Sequence, residues 1–436
     1  MLKRKAWSEF EIWKKTKRRQ GLLVTGARQV GKTFLVREFG KSCYKNFAEI
    51  NLIENKKAAK AIESADNTKE LFARISLLAD TRLIPGETLI FIDEVQASKE
   101  IVTAIKFLVE QTDYDFVLSG SLLGVELRNI RSVPVGYLDT IEMLPLDFEE
   151  FCDAVGVPKE IFREVSSAIK MRVPIKEFIH LELLKRFHEY LIVGGMPAAV
   201  AEFVETRNLQ MVRNIQKNII IQNKRDISQY SEDDALKIKD IYEMIPSELN
   251  QQNKRFILKS MDERALFKQY ADSLVWLTRA GVAIPVFCVS EPKYPLKLAS
   301  ATNLFKLFMG DVGLLTSMFI KDTALEILAK NPNVNYGAIY ENVVAQELKT
   351  KGVDIYYYKN KKRGELDFVT ETLKGKILPI EVKSGKDYKR HNALSNLLEE
   401  KAYALEEGFV LCEANIKKEG RTTYLPVYAA GLLGED

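Results

Sequence analysis

Gly26-Ala27-Arg28-Gln29-Val30-Gly31-Lys32-Thr33 is a complete Gly-x-x-x-x-Gly-Lys-Thr loop. It lies between the apolar run Leu22-Leu23-Val24 and a segment in which Phe34, Leu35 and Phe39 give a helical apolar face. Strand, glycine loop and helix in this order make a phosphate cradle. The glycines permit the tight turn whose N–H groups surround phosphates, and the helix N-terminus adds positive potential. Lys32 would contact the β- and γ-phosphates, and Thr33 would place its hydroxyl on Mg²⁺. The alternative is an ordinary glycine turn.

Working outward, Leu89-Ile90-Phe91-Ile92-Asp93-Glu94 is a buried-strand pattern ending in two acids. Asp93 would hold a Mg²⁺-bound water, and Glu94 would orient or polarise the attacking water. The same acids could instead begin the next helix, where carboxylates are favourable. A third run, Phe116-Val117-Leu118, ends in Ser119-Gly120-Ser121. Its Ser119 hydroxyl either senses a γ-phosphate or belongs to a plain strand-to-loop turn. Arg128 and Arg131 follow, as arginine fingers in cis or in trans or as a solvated basic helix. With Phe47 to Leu52 and Tyr137 to Leu144, these short apolar runs alternate with helical patterns. That alternation predicts a parallel sheet covered by helices.

The whole chain has 436 residues, room for about three domains at roughly 150 residues each. Its 46% hydrophobic and 28% charged content is globular and excludes wholesale disorder. Lys and Arg total 64 against 60 Asp and Glu, so the formal charge is only +4 and no polycationic or acidic tail is present. Cys43, Cys152, Cys288 and Cys412 form no Cys-x-x-Cys pair, which argues against a disulfide scaffold and a zinc finger. His180, His188 and His391 form no ligand cluster and are expected to be structural or on the surface. The uncharged stretch Tyr190 to Ala201 is too short to span a bilayer, and the N-terminus lacks a signal-peptide core. A cytoplasmic protein without a membrane span is expected.

From about Ala154 to Ala329 the pattern is mostly helical, with Leu181, Leu184, Phe187 and Leu191 at helical spacing. Between Asp233 and Cys288, helices over Leu236 to Ile241, Phe256 to Met261 and Leu266 to Leu277 lead into an extended Ala280 to Pro285 segment. This suggests a winged helix-turn-helix. Lys254 and Arg255 could contact phosphates, although Asp262, Glu263 and Asp272 dilute any basic face and favour internal packing. Gly194-Gly195-Met196-Pro197 is expected to be a structural turn.

From Asn335 onward a separate α/β domain is expected. Leu366 to Thr370 and Ile377 to Val382 read as neighbouring strands. Alternation places Glu381 and Lys383 on one face. Asp367 and Glu381 would bind Mg²⁺, Lys383 would activate water for phosphodiester cleavage, and Glu341 would add a carboxylate. Lys359, Lys361, Lys362 and Arg363, with Lys386, Lys389 and Arg390, either attract nucleic acid or form a solvated loop. Tyr356, Tyr357 and Tyr358 would offer stacking surfaces beside them.

Taken in order, Thr25 to Thr33, Phe91 to Gln96, Ser119 to Ser121, Leu144 to Phe151, Gly194 to Pro197 and Gly364 to Phe368 resemble bacterial and archaeal AAA-type ATPases with a C-terminal restriction-endonuclease-like domain. The resemblance covers nearly the whole chain. One departure is Gly136-Tyr137, where that family commonly has Gly-Arg, and it bears on the arginine finger. The resemblance implies an α/β chain with an AAA-type P-loop parallel-sheet domain (1–153), a helical connector with a winged helix (154–330) and a PD-(D/E)xK nuclease-like α/β domain (331–436). The expected function is Mg²⁺-dependent ATP hydrolysis coupled to that domain, acting on or near DNA or RNA. The alternative is a nucleotide-regulated interaction protein with slow ATPase activity, a protein partner and an inactive nuclease-like domain. A P-loop kinase fits less well, because Asp93-Glu94 suits water activation. A homo-oligomer would allow an arginine in trans.

Overall fold

A computed structural model describes residues 2–16, 20–120, 136–228, 232–251, 254–256, 267–319, 323–331, 334–372 and 374–434. The chain forms two compact units, one chiefly from residues 3–144 and the other chiefly from 145–278 and 282–436.

In the first unit β1 (Gly21–Gly26), β2 (Asn46–Asn51), β3 (Thr88–Asp93), β4 (Asp115–Ser119) and β5 (Leu138–Met143) form one sheet. Their order is β2-β3-β4-β1-β5, and every pairing is parallel. Parallel neighbours need crossover connections, which is why helices separate the strands. All six residues of β3 are buried, as a strand covered on both faces requires. Ile90, Ile92 and Leu118 pack with Ile101, Ile105 and Leu108 of the helix Lys99–Gln111. The helix Lys32–Cys43 buries Leu35, Val36 and Phe39, and Phe39 meets Phe10 at a ring separation of 5.2 Å. Burying a side chain such as Phe39 contributes roughly 1.5–3 kcal/mol. Phe34, expected on that face, is 53% exposed, because Leu35 and Val36 take the inward positions. Gly26 has φ +129°, and a Cβ there would lie 2.1 Å from the Met143 carbonyl oxygen on β5.

The second unit holds an eight-stranded sheet of β6 (Ala283–Val289), β7 (Ser300–Met309), β8 (Ile355–Asn360), β9 (Gly364–Glu371), β10 (Ile377–Val382), β11 (Gly408–Cys412), β12 (Lys417–Glu419) and β13 (Thr422–Pro426). Their order is β12-β13-β11-β10-β9-β8-β6-β7. The β9–β10 hairpin follows the sequence reading. The division at residues 330 and 331 does not. The β6–β7 hairpin, expected in a helical connector, extends the C-terminal sheet, with Phe287 of β6 opposite Tyr356 of β8 in a parallel pair. An open β8 edge would leave backbone donors and acceptors unpaired, and β6 covers them. The helix Phe148–Ala154 belongs to the second unit. Within that unit, Phe148 N–H donates to Glu347 Oε1 at 2.9 Å. Helices Glu232–Asn250 and Phe267–Arg279 precede the hairpin. Residues 257–266, with most of the expected Phe256 to Met261 helix, lie outside the described residues. No described helix is long and apolar enough to cross a membrane.

Gly194 ends the helix Glu177–Val193 with φ +68°, and Pro197 opens the next helix. Gly195 O accepts from Leu146 N–H at 2.7 Å, and Gly195 N–H donates to Asp311 Oδ2 at 2.6 Å. A Cβ on Gly195 would lie 2.0 Å from the Leu146 carbonyl oxygen. Neither backbone can yield without breaking these bonds. Gly195→Ala should therefore cost about 1–3 kcal/mol of stability, measured as a lower urea midpoint; an unchanged midpoint would show that the turn is not tightly packed.

Candidate functional site

The phosphate-loop residues gather at the C-terminal ends of β1, β3 and β4, which are neighbours in the sheet. Gly26, Gln29 and Gly31 have φ of +129°, +64° and +91°, the left-handed turns that glycine adopts without strain. The helix begins at Lys32 with no side-chain cap on Gly31 and no acid in its first turn, so its N-terminal potential stays positive toward an anion. Lys32 is 7% exposed, and its Nζ donates to the carbonyl oxygens of Ala27 at 2.7 Å and Gly26 at 3.0 Å. Burial pushes its ammonium down from 10.5 to about 8; Glu94 and Asp93 pull it back, and Arg28 adds to the depression.

Asp93 is the centre of the arrangement. Its Oδ2 accepts from Thr33 Oγ1 at 2.9 Å and Asn51 Nδ2 at 3.4 Å. Its Oδ1 accepts from Ser119 Oγ and, at 3.0 Å, from Glu94 N–H. Glu94 has φ +57°, a conformation costing about 1–3 kcal/mol in a non-glycine residue. The Gln96 amide donates to Glu94 Oε2, and Ala97 N–H donates to Glu94 O at 3.0 Å, which hold it there. The Thr33 hydroxyl and the Asp93 carboxylate are the hard oxygen donors that Mg²⁺ takes, so these two residues fit that ion. Sequence reasoning did not single out Asn51; its only signal was a polar residue ending a strand. Arg128, Arg131 and Ser121 lie outside the described residues.

A second cluster lies in the second unit. Glu341 is on the helix Tyr336–Lys349, Asp367 on β9 and Glu381 on β10. Val382 N–H donates to Asp367 Oδ2 at 2.8 Å, and Lys383 Nζ pairs with Glu381 Oε1 at 2.7 Å, so the expected shared face of Glu381 and Lys383 is present. Four further residues join them: Lys254, Lys306, Lys359 and Glu365. Lys306 of β7, 1% exposed, has its Nζ 3.1 Å from Glu365 Oε1, 3.6 Å from Glu341 Oε2 and 3.8 Å from Asp367 Oδ1. Lys254 pairs with Glu341 Oε1, and Lys359 with Glu365 Oε2 at 2.7 Å. Glu341 Oε2 and Glu381 Oε2 are buried without a hydrogen-bond partner; the 3.6 Å approach of Lys306 to the former is an ion pair too long to be a hydrogen bond.

Burial raises the Asp367 carboxyl well above its usual range, and Glu341 and Glu381 raise it further. Burial likewise lifts Glu381, against the pull of Lys383. Burial opposes the charge on Lys306, but Glu341, Asp367 and Glu365 outweigh it and hold the ammonium above its ordinary range. Among the described residues, no group of three or more His, Cys, Asp or Glu side chains is arranged to hold a metal ion. Glu341, Asp367, Glu381 and Lys383 therefore converge as expected, but the cation among the carboxylates is Lys306. A lone lysine in the apolar run Leu304 to Met309 was its only sequence signal.

Tyr356, Tyr357 and Tyr358 are buried, at 6%, 0% and 0% exposure, and cannot offer stacking faces. They lie on an interior strand with neighbours on both sides, so their rings belong to the core. Part of the basic cluster is neutralised: Arg363 pairs with Glu400, and Lys389 approaches Glu419 at 3.5 Å. All three histidines are buried and hydrogen-bonded, His180 to Tyr428, His188 to Glu413 and His391 to Tyr424.

Residues 18–152 match an AAA domain family. Residues 184–325 match a domain of unknown function (DUF8612), and residues 336–429 match another (DUF4143). No curated protein matches. Among solved structures the chain is similar to a Walker-type ATPase of Pyrococcus abyssi, at 14% identity over 73% of this chain and 96% of that one, with a TM-score of 0.46. It is also similar to the RuvB Holliday junction branch migration motor of Thermotoga maritima (14%, 68% and 91%, TM-score 0.29). A third is the Orc1 protein of Aeropyrum pernix in complex with DNA (12%, 72% and 87%, TM-score 0.27).

The depressed Lys32 ammonium sets a pH dependence. Between about 8 and 10.5 the folded, nucleotide-free protein sheds a proton that the unfolded chain keeps. The burial penalty on stability is thus full below pH 8 and is relieved as pH rises toward 10.5. Phosphate binding has the opposite sign, because it needs the charged form. Raising pH from 7 to 9 should weaken ATP binding by about tenfold, read with a fluorescent nucleotide. Lys32→Arg should flatten the profile; equal slopes in both proteins would assign the effect elsewhere.

Proposed function

From an AAA-type P-loop ATPase domain over residues 18–152, we propose Mg²⁺-dependent ATP hydrolysis whose conformational changes are coupled to the C-terminal nuclease-like module, acting on or near nucleic acid. The convergence of Thr33, Ser119 and Asp93 beside Lys32 is the observation that carries the hydrolytic reading. The Lys32 ammonium exchanges its two loop carbonyls for phosphate oxygens. Thr33 and Asp93 would hold the metal, which would neutralise charge on the phosphate oxygens. Glu94 is the carboxylate that orients water and receives its proton, while Gln96 keeps it in place. Ser119 joins the same carboxylate from the neighbouring strand, where its hydroxyl can report a change at Asp93. Arg128, supplied within the chain or across a homo-oligomer, would complete the charge stabilisation, in a cytoplasmic protein.

A second reading has one observation in its favour. With Lys306 among the carboxylates, the C-terminal module is an inactive binding domain for nucleic acid or a protein partner, regulated by nucleotide. Cleavage of DNA or RNA in Mg²⁺ or Mn²⁺, abolished by Asp367→Ala or Lys383→Ala, would support the first reading over this one. Binding without cleavage, weakened by salt, would support the second.

Lys32→Ala should abolish ATP binding. Glu94→Gln should keep binding and lose about 10²- to 10⁴-fold in turnover, measured by phosphate release. Wild-type turnover by Glu94→Gln would remove Glu94 from the mechanism.

A further inference from the structure

Four carboxylates and four ammonium groups close on one another in the second unit. Lys254 pairs with Glu341, Lys359 with Glu365 and Lys383 with Glu381, while Lys306 lies within 3.8 Å of Glu341, Glu365 and Asp367. A divalent-cation site needs an excess of negative charge and oxygen lone pairs free to turn to the ion. Here the formal charges cancel. Of the oxygens expected to bind metal, Asp367 Oδ2 already accepts from Val382 N–H, and Glu381 Oε1 is taken by Lys383. A metal among these acids would lie beside the Lys306 ammonium, whose own desolvation is compensated chiefly by the same acids and by the Tyr357 ring 5.2 Å away. The residues as arranged do not fit the Mg²⁺ that the nuclease-like resemblance implies. Lys306 comes from β7, the edge strand of the hairpin that extends the sheet, so the addition of β6 and β7 is also what brings the lysine in.

We propose that Lys306 is the resident cation of this site, an internal ammonium that replaces a divalent metal and keeps the module metal-free. The inference rests on the nuclease-like reading only for the expectation of a metal. It deepens the second reading given above and does not depend on ATP hydrolysis. Glu341 Oε2 and Glu381 Oε2, buried and without hydrogen-bond partners, are the lone pairs that an ion could use once the lysine is removed.

The test is Mn²⁺ binding by the full-length, nucleotide-free protein, followed by electron paramagnetic resonance. Lys32→Ala and Thr33→Ala are present throughout to weaken the phosphate loop, and Asp367→Asn serves as the subtraction control. With Lys306 intact, no Asp367-dependent Mn²⁺ should bind at millimolar concentration. Lys306→Met should gain one Asp367-dependent ion per chain, and its melting temperature, lowered in chelator, should rise on adding Mn²⁺. Asp367-dependent Mn²⁺ in the chain that retains Lys306 would overturn the proposal, and this arm needs no folded Lys306 variant. A folded Lys306→Met that binds no ion would overturn it as well. Nucleic-acid cleavage is scored separately: a protein that binds no metal here and cleaves nothing supports both the inference and the second reading. Cleavage lost in Asp367→Ala without metal binding would sink the second reading alone.

Discussion

The Asp93 carboxylate, 2% exposed at the end of β3, must find its hydrogen bonds inside the protein. It finds them from Thr33 on the helix after the loop, Asn51 at the end of β2, Ser119 at the end of β4 and the backbone of Glu94. A buried carboxylate left without such donors would cost more than any one of these bonds contributes. The requirement therefore fixes several things together. The ends of β2, β3 and β4 must stand level, the helix after the glycine loop must begin beside them, and the strands must be parallel so that their C-terminal ends share an edge. Register pairs Asn51 with Asp93 and Ile92 with Leu118, which is the alignment that the shared carboxylate demands.

The second unit meets the same constraint differently. In the first unit neutral groups donate the hydrogen bonds to the acid, and the nearby Lys32 ammonium bonds to loop carbonyls and not to the carboxylate. In the second, ammonium groups satisfy the acids and cancel their charge in place. Both clusters combine strand-end acids with lysine, and sequence alone makes them look alike. The difference lies in whether the partner of the carboxylate brings a charge. The first arrangement suits the metal-assisted hydrolysis proposed for it, and the second suits the metal-free core proposed there.

The parts legible in the sequence are those whose physics is local. A strand buried on both faces is a continuous apolar run, so Leu89 to Ile92 and Phe116 to Leu118 announce themselves, and the glycine loop declares its own turns. Helix faces are harder: Phe34 and Leu35 are adjacent and equally apolar, and only packing decides that Leu35 is inside. Lys306 was missed, and Lys254 was read as a phosphate contact, because their partners Glu341, Glu365 and Asp367 are remote in the chain, and no spacing rule links a β7 lysine to a β9 acid. Tyr356 to Tyr358 misled for a related reason. Aromatic residues beside lysines suit nucleic acid on a surface, yet on β8, between β9 and β6, they fill a core. The extended Ala280 to Pro285 segment announces the start of β6, but β7 and the sheet edge that the hairpin joins are tertiary choices.

On leaving β5 the chain enters the second unit at Pro145. Leu146 N–H is bonded to Gly195 O and Phe148 N–H to Glu347. Tyr190 OH donates to Leu146 O at 2.6 Å and accepts from Gln346 Nε2 at 2.8 Å, while Gln346 Oε1 accepts from Val312 N–H at 2.8 Å. Gln346 and Glu347 share one helix with Glu341. Covalent continuity thus runs from β5, the partner strand of β1, into a buried hydrogen-bonded network and along a single helix to the ionic cluster. Continuity alone is not coupling, which needs an element with two arrangements. Within the second unit, the bonds of Leu146, Phe148 and Tyr190 tie these residues into one buried group that must move as a body or break.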